Sequence, residues 1–438
     1  MRLDLRTPEE CDVLTPALVP VVEIVTETAA LPRAIQAAAD RAALEAVGFV
    51  PDHLRNEGAG PTGYQLEAGP RAAARHQAAF EAMPTTEEAC QGLIETIEDE
   101  RRVEHALHPN EMFFAPSALG VRVGSHLWTP NAHRHAAPFL GYEKGIDYMA
   151  GLPQELRVQL LNHHASTSKR TTGLVCRERT FDGRDEVFTV VSKGYTPIDG
   201  DWVARHVADC APRGSRAEVF YDGPDARGWV DVTCLREVDF PGVGELHSVG
   251  ARFKFHDGVR GRVTGSIWCK RNSCANRSVF NATTVDLASL VHRGDVGVQL
   301  TKLRDLVQQA FSLDRGLGRI TEAWGYAQAH EVTPVLHQVK GEEMTPWVEL
   351  DAGQRIHALY EGMVRTGQLD ARLTDVDGLA AAYWVEGSER ITPFGIINGV
   401  TRYSQTVQNR WGAEALEASA GGLTWHHTTQ LAYAHVRN

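Results

Sequence analysis

Five short runs rich in β-branched and aromatic residues follow one another between Thr172 and Phe280. They are Glu186 to Val191, Ala217 to Tyr221, Trp229 to Leu235, Ala251 to His256 and Arg262 to Lys270. Turn signals such as Asp182-Gly183, Asp222-Gly223-Pro224 and Asp257-Gly258 separate them. Such runs close into an antiparallel sheet, because parallel pairing needs long crossovers between strands. Helical periodicity lies on both sides of this block. The order helices, sheet, helices predicts an α+β fold, a central antiparallel sheet flanked by helical N- and C-terminal regions, and not alternating βαβ units.

Three regions are expected: a mostly helical segment over 1–150, a sheet-then-helix core over 165–330, and a helical region over 331–438 packing on that core. In the first, Ile35, Ala38, Ala42 and Val47 share one helical side. A second helix starts at Thr86-Glu87-Glu88 and runs on through Leu93, Ile97, Val103 and Leu107. Further helices are expected after Pro153, from Thr284 to Phe311, and from Phe394 to Trp411. In the last of these, Ile397, Val400, Tyr403, Val407 and Trp411 form an apolar stripe. Beside it runs an uncharged polar stripe of Asn398, Thr401, Gln405 and Gln408, which fits a half-buried hydrogen-bonding seam.

The hairpin from Ala251 to Arg271 is the most informative stretch. Alternation puts Arg252, Lys254 and His256 on one face of its first strand and Phe253 and Phe255 on the other. A three-residue loop over 257–259 sets His256 opposite Arg260 and Lys254 opposite Arg262, which yields one basic and one apolar face. Cations directly across a ladder repel, so this register carries a cost. The whole chain has 44 Lys and Arg against 56 Asp and Glu, a net of −12. Residues 252–277 alone carry seven cations and one acid, +6, which leaves −18 for the remainder. Either acids from elsewhere in the chain, or from a partner subunit, cover the basic face, or a polyanion does. In the second case Arg252, Lys254, Arg260, Arg262, Lys270, Arg271 and Arg277 contact phosphate. Trp268 and Tyr195 are then the candidates for stacking on bases.

Other classes find less support. No run approaches 18 apolar residues, so no membrane partner is expected. The N-terminus lacks the zones of a signal peptide, and an odd seven cysteines fit reduced thiols, which together point to the cytoplasm. No Walker loop, dinucleotide fingerprint or nucleophile elbow occurs, so no cofactor is expected. Histidines cluster at His126, His133 and His135 and at His163 and His164. These are the candidates for a metal-dependent hydrolase or nuclease, the alternative function, although no His-Glu-x-x-His motif is present. A self-assembling structural or virion component is a second alternative.

Four segments, in this order and spacing, resemble the phage- and plasmid-encoded family of unknown function called DUF932. They are Val190 to Asp199 (VVSKGYTPID), Cys274-Ala275-Asn276, His292-Arg293-Gly294-Asp295, and Thr392 to Tyr403 (TPFGIINGVTRY). The resemblance spans roughly 180–410. Lys193-Gly194 stands where that family more often has Asp-Arg, and Ala275 where it tends to have Ser or Thr. It implies a mobile-element protein and assigns no catalytic residue. Combined with the basic hairpin, it leads to the expectation of a cytoplasmic nucleic-acid-binding protein, acting on single-stranded DNA in replication or recombination. A homo-oligomer is expected only by analogy with annealing proteins.

Overall fold

The computed structural model describes residues 78–169, 173–239, 246–258, 262–271, 277–280, 289–312, 314–386, 390–423 and 430–437. The helix expected around Ile35 to Val47 lies outside them. Helix α1 (Thr86–Asp99) opens with a capping box in which Thr85 and Glu88 satisfy each other's backbone N–H. The expected run through Leu107 ends early. Arg101 adopts a left-handed φ of 46°, and the Glu100 carbonyl accepts from Thr180 N. Glu100 and Arg102 are thereby turned inward, and the chain continues as β1 (Val103–Leu107), β2 (Phe114–Ser117), β3 (Gly120–Val123) and β4 (His126–Trp128). Four strands therefore stand where a mostly helical region was expected, because short strands broken by Gly and Pro leave little periodicity to read.

Helices α2 (Pro130–Leu140), α3 (Ile146–Ala150) and α4 (Gln154–Thr167) follow, then the hairpin of β5 (Leu174–Phe181) and β6 (Arg184–Ser192). The first sheet has the order β1-β5-β6-β4-β3-β2, antiparallel except where β4 runs parallel to β6. Its apolar side, with Phe114, Val121, Trp128 and Val187, packs on Ala132, Ala136, Leu161 and Ala165 of α2 and α4.

After α5 (Gly200–Cys210) come β7 (Arg216–Asp222), β8 (Arg227–Asp239), β9 (Leu246–His256), β10 (Val263–Arg271), β11 (Arg277–Phe280) and the two-residue β12 (Ser289–Leu290). These form the expected antiparallel sheet, in the order β11-β10-β9-β8-β7 with β12 on β10. Phe253, Phe255, Val230 and Val263 bury one face against α1, α5 and α6 (Val296–Phe311). Farther along, Val249, Ile267 and Cys269 meet Ile320 and Trp324 of α7 (Asp314–Ala329). Of the helix expected from Thr284 to Phe311, residues 284–288 lie outside the described residues, β12 takes the next two, and α6 starts at Val296, where Asp295 accepts from Val298 N and caps it.

The last region holds β13 (Thr333–Leu336), α8 (Ala352–Arg365), α9 (Val376–Glu386), α10 (Pro393–Ser404), α11 (Arg410–Leu423) and β14 (Gln430–Tyr433), which pairs parallel to β13. The helix expected from Phe394 to Trp411 is two helices. Val407 N bonds back to Ser404 O, while Asn409 caps α11 by accepting from Trp411 N at 2.9 Å. Of the polar stripe, Asn398 and Thr401 are buried as the expected seam, whereas Gln405 and Gln408 fall in the exposed break.

At Gly250 on β9 the neighbouring strands of the sheet crowd in so closely that a Cβ would strike the Val232 carbonyl oxygen of β8 and the Trp268 indole of β10. Gly250→Ala should cost about 3 kcal/mol, the upper range for overpacking a core. A urea titration followed by tryptophan fluorescence measures it.

Candidate nucleic-acid interface and the buried arginine centre

The β9–β10 hairpin keeps the predicted faces but slips by two residues. Lys254 pairs with Thr264 and Arg252 with Ser266, instead of Lys254 with Arg262. An even shift leaves every side chain on its face and replaces cation–cation neighbours with hydroxyls, which removes the repulsion of the three-residue-loop register. On the other side, β8 sets Asp231 against Arg252 and Trp229 against Lys254.

The cover on this face is α11. Arg252 is buried. It donates to Asp231 at 3.1 and 2.6 Å and to Glu417 at 3.1 Å, and Glu414 lies 3.8 Å from it. Burial opposes its charge, but Asp231, Glu417 and Glu414 outweigh that and raise its pKa. Lys254 Nζ donates to Glu414 at 2.6 Å. Trp411, from the first turn of α11, sits edge-on to Trp229 at 4.7 Å, under Arg227 at 4.3 Å, and donates from Nε1 to Asp222 at 3.0 Å. The chain's own helix thus occupies the positions that phosphates and a base would take.

Several expected contacts fall accordingly. Arg252 and Lys254 are spent on carboxylates, and Trp268 is fully buried, so it cannot stack on a ligand base. Lys270 is half-buried and has an interaction of its own. Arg271 ends β10 and Arg277 begins β11, while Arg260 lies outside the described residues. Arg262 is exposed. The Tyr195 ring is taken by His292, stacked at 4.9 Å, and by Arg177 at 5.4 Å, and so offers no free platform.

Tyr195 belongs instead to a centre that sequence reasoning missed. Its segment and the His292-Arg293-Gly294-Asp295 segment meet: Tyr195 bridges Arg293, Thr196 N donates to His292 O, and the Thr196 hydroxyl donates to Gly294 O at 2.6 Å. Just inward, Arg102, Arg177 and Arg179 converge on the Phe188 ring at 5.3, 5.2 and 5.1 Å. Phe188 is the extra residue of a bulge between β5 and β6, since Arg177 pairs with Thr189 and Glu178 with Val187. Arg102 donates to Asp257 at 2.5 Å, Asp199 at 3.0 Å, Glu100 at 2.8 Å and Tyr221 at 2.8 Å. Arg177 donates to Asp199 and to the Asp257 carbonyl, and Arg179 to Glu186 at 2.6 Å.

Three guanidiniums thus face four buried carboxylates: Glu100, Glu186, Asp199 and Asp257. Asp199 is pushed up by burial but held below its ordinary range by Arg177 and Arg102. Asp257 goes the other way. Burial, reinforced by the Asp199 charge, outweighs Arg102 and raises it. Asp257 also does what the N-cap Asp199 does not, accepting from Gly200 N at 3.0 Å at the start of α5. The one available sequence signal was charge inside strand-like text, Arg177 and Arg179 on one face of β5. Their partners lie up to 80 residues away along the chain.

The histidines do not gather. His126 Nε2 lies 3.3 Å and His105 Nε2 3.1 Å from Glu178. His133 packs between Phe114 and Trp128, and His135 Nδ1 shares a hydrogen bond with Thr189 at 2.7 Å. Among the described residues, His126, His133 and His135 form no metal-ligand group. His163 and His164, the other candidates for that site, belong to no such group among the described residues either. Compared with known proteins, the chain matches no family model, no curated protein and no solved structure.

His133 carries a pH signature. Burial, with help from Arg157, lowers its pKa to about 4, so the native state holds it neutral. The unfolded chain binds the extra proton between its ordinary value near 6.5 and 4, so stability is full above that window and falls as pH drops through it. The loss should reach about 3 kcal/mol. In His133→Phe, which suits the aromatic site, this part of the acid sensitivity should vanish from urea midpoints measured between pH 7 and 4.

Proposed function

We propose that the protein binds nucleic acid, single-stranded DNA first, at the sheet edge where the two resemblance segments meet, and not across the face of the hairpin. The carrying observation is a set of exposed cations there. Lys193 lies in the turn after β6, and Arg293 bridges Tyr195 two residues on. Arg262 immediately precedes Val263, whose partner in β12 is Leu290, so it leaves the sheet at the same end as Arg293. All three are exposed, and among the described residues none has a carboxylate partner. Val291, Val296 and Val298 are exposed beside them, apolar surface that a bound partner would cover.

The acidic remainder of the chain supports a confined contact over a wrapped one, since the field elsewhere repels phosphate. A mobile-element role in replication or recombination, in the cytoplasm, follows the resemblance and rests on it alone. Fluorescence anisotropy with single- and double-stranded oligonucleotides across a salt series tests the binding. Three phosphate contacts on a single strand predict a log–log salt slope of about −2. Lys193→Glu/Arg262→Glu/Arg293→Glu should weaken binding at least about tenfold, while the remote exposed Arg372→Glu should not. No binding at low salt, or equal loss in both variants, would contradict the assignment.

A further inference from the structure

His357 and Glu361 stand four residues apart on α8 and therefore on one face of it. The strand β14 lies directly along that helix. Ala434 N donates to Ala358 O at 2.9 Å, and Gly362 has no side chain where a Cβ would strike the Ala432 carbonyl. This close approach brings His435, two residues past the end of β14, to the pair on α8. Its carbonyl is fixed by Thr345 N at 2.9 Å. One ligand atom from each of His357, Glu361 and His435 lies within 4.8 Å of the other two.

We propose that these three residues form a site for a divalent transition-metal ion, zinc by its donor set. Two imidazoles and one carboxylate match the three protein ligands of an open zinc site, with water as the fourth ligand. Calcium and magnesium demand mostly oxygen donors, and a thiolate-seeking metal finds no sulfur here. A tetrahedral ion bound at about 2.1 Å holds its ligands about 3.4 Å apart, within reach of small side-chain rotations from the observed spacing.

Two further details separate a metal site from three polar groups that merely adjoin. No hydrogen bond joins the three to one another, although all are half-buried. His357 Nε2 lies 3.1 Å from Asp377 Oδ1, while its Nδ1 is buried without a partner. A ring whose one nitrogen donates to a carboxylate presents a bare lone pair at the other, the arrangement metal-bound histidines adopt. Glu361 is oriented in the same way. Its Oε1 accepts from Arg365 at 3.1 and 2.6 Å, which leaves Oε2 for the ion.

The test uses untagged full-length protein stripped with a chelator, titrated with Zn2+ by calorimetry and with Co2+ by visible absorption. One equivalent should bind, and Co2+ should give the d–d bands of a four-coordinate nitrogen and oxygen site. His435→Ala should abolish these bands. Asp377→Asn, an exposed change that leaves the fold intact, should weaken binding about 10- to 100-fold. His126→Ala should change nothing. Absence of stoichiometric binding, or binding that survives both His435→Ala and Asp377→Asn, would overturn the proposal.

Discussion

The fold depends on three guanidiniums gathered around one phenyl ring and matched to buried carboxylates from both sheets. Arg177 and Arg179 come from the first sheet, and Arg102 from the turn that enters it. Asp257 closes β9 of the second sheet, and Asp199 precedes the helix packed on that sheet. Every polar group of Asp257 is engaged. Its N–H donates to Ala226 O, its carbonyl accepts from Arg177 and Tyr195, and its two carboxylate oxygens accept from Gly200 N and Arg102. Buried ions are costly, and the guanidinium contacts offset that cost only in part, since Asp199 Oδ1 is buried without a hydrogen-bond partner. The centre ties the two sheets to each other through the Arg102–Asp257 pair and the Arg177 bond to the Asp257 carbonyl.

The same logic governs the second sheet's outer face. A cationic strand in an acidic chain needs an answer, and α11 supplies it with Glu414, Glu417 and the aromatic body of Trp411. The two-residue slip of the hairpin belongs to this solution, because it sets hydroxyls and Asp231 beside the cations and leaves room for the acids of α11. What stays outside is a short edge of exposed charge. The proposed nucleic-acid contact is confined to that edge, in a chain whose net charge is −12.

Local signals carried much of the architecture. The strands β6 to β10, the opposing faces of the hairpin, the start of α1 at Thr86 and the buried seam of Asn398 and Thr401 all follow from alternation, caps and periodicity. The misses share a cause. Val103 and Leu107 continued a helical spacing, yet the inward demand on Glu100 and Arg102 turned the chain there. Asp257 read as half of a turn signal, although it is fully buried. Cover of Arg252 by acids from elsewhere in the chain was one of the two expected readings, but which acids stayed unread because Glu414 and Glu417 lie more than 160 residues away. His357, Glu361 and His435 were silent for the same reason. Pairings of this kind are set by tertiary contact, on which no local pattern bears.

The central claim, that buried charge pairing across the two sheets sets their arrangement, is tested most directly by a double-mutant cycle on Arg102 and Asp257. Equilibrium unfolding would be measured for Arg102→Met, Asp257→Asn and the double variant. Each single change should cost about 3–5 kcal/mol, because it strands a buried partner. The double variant should recover about 2 kcal/mol of their sum. Additivity within about 0.5 kcal/mol would mean that the two groups do not act on each other, and would contradict the account.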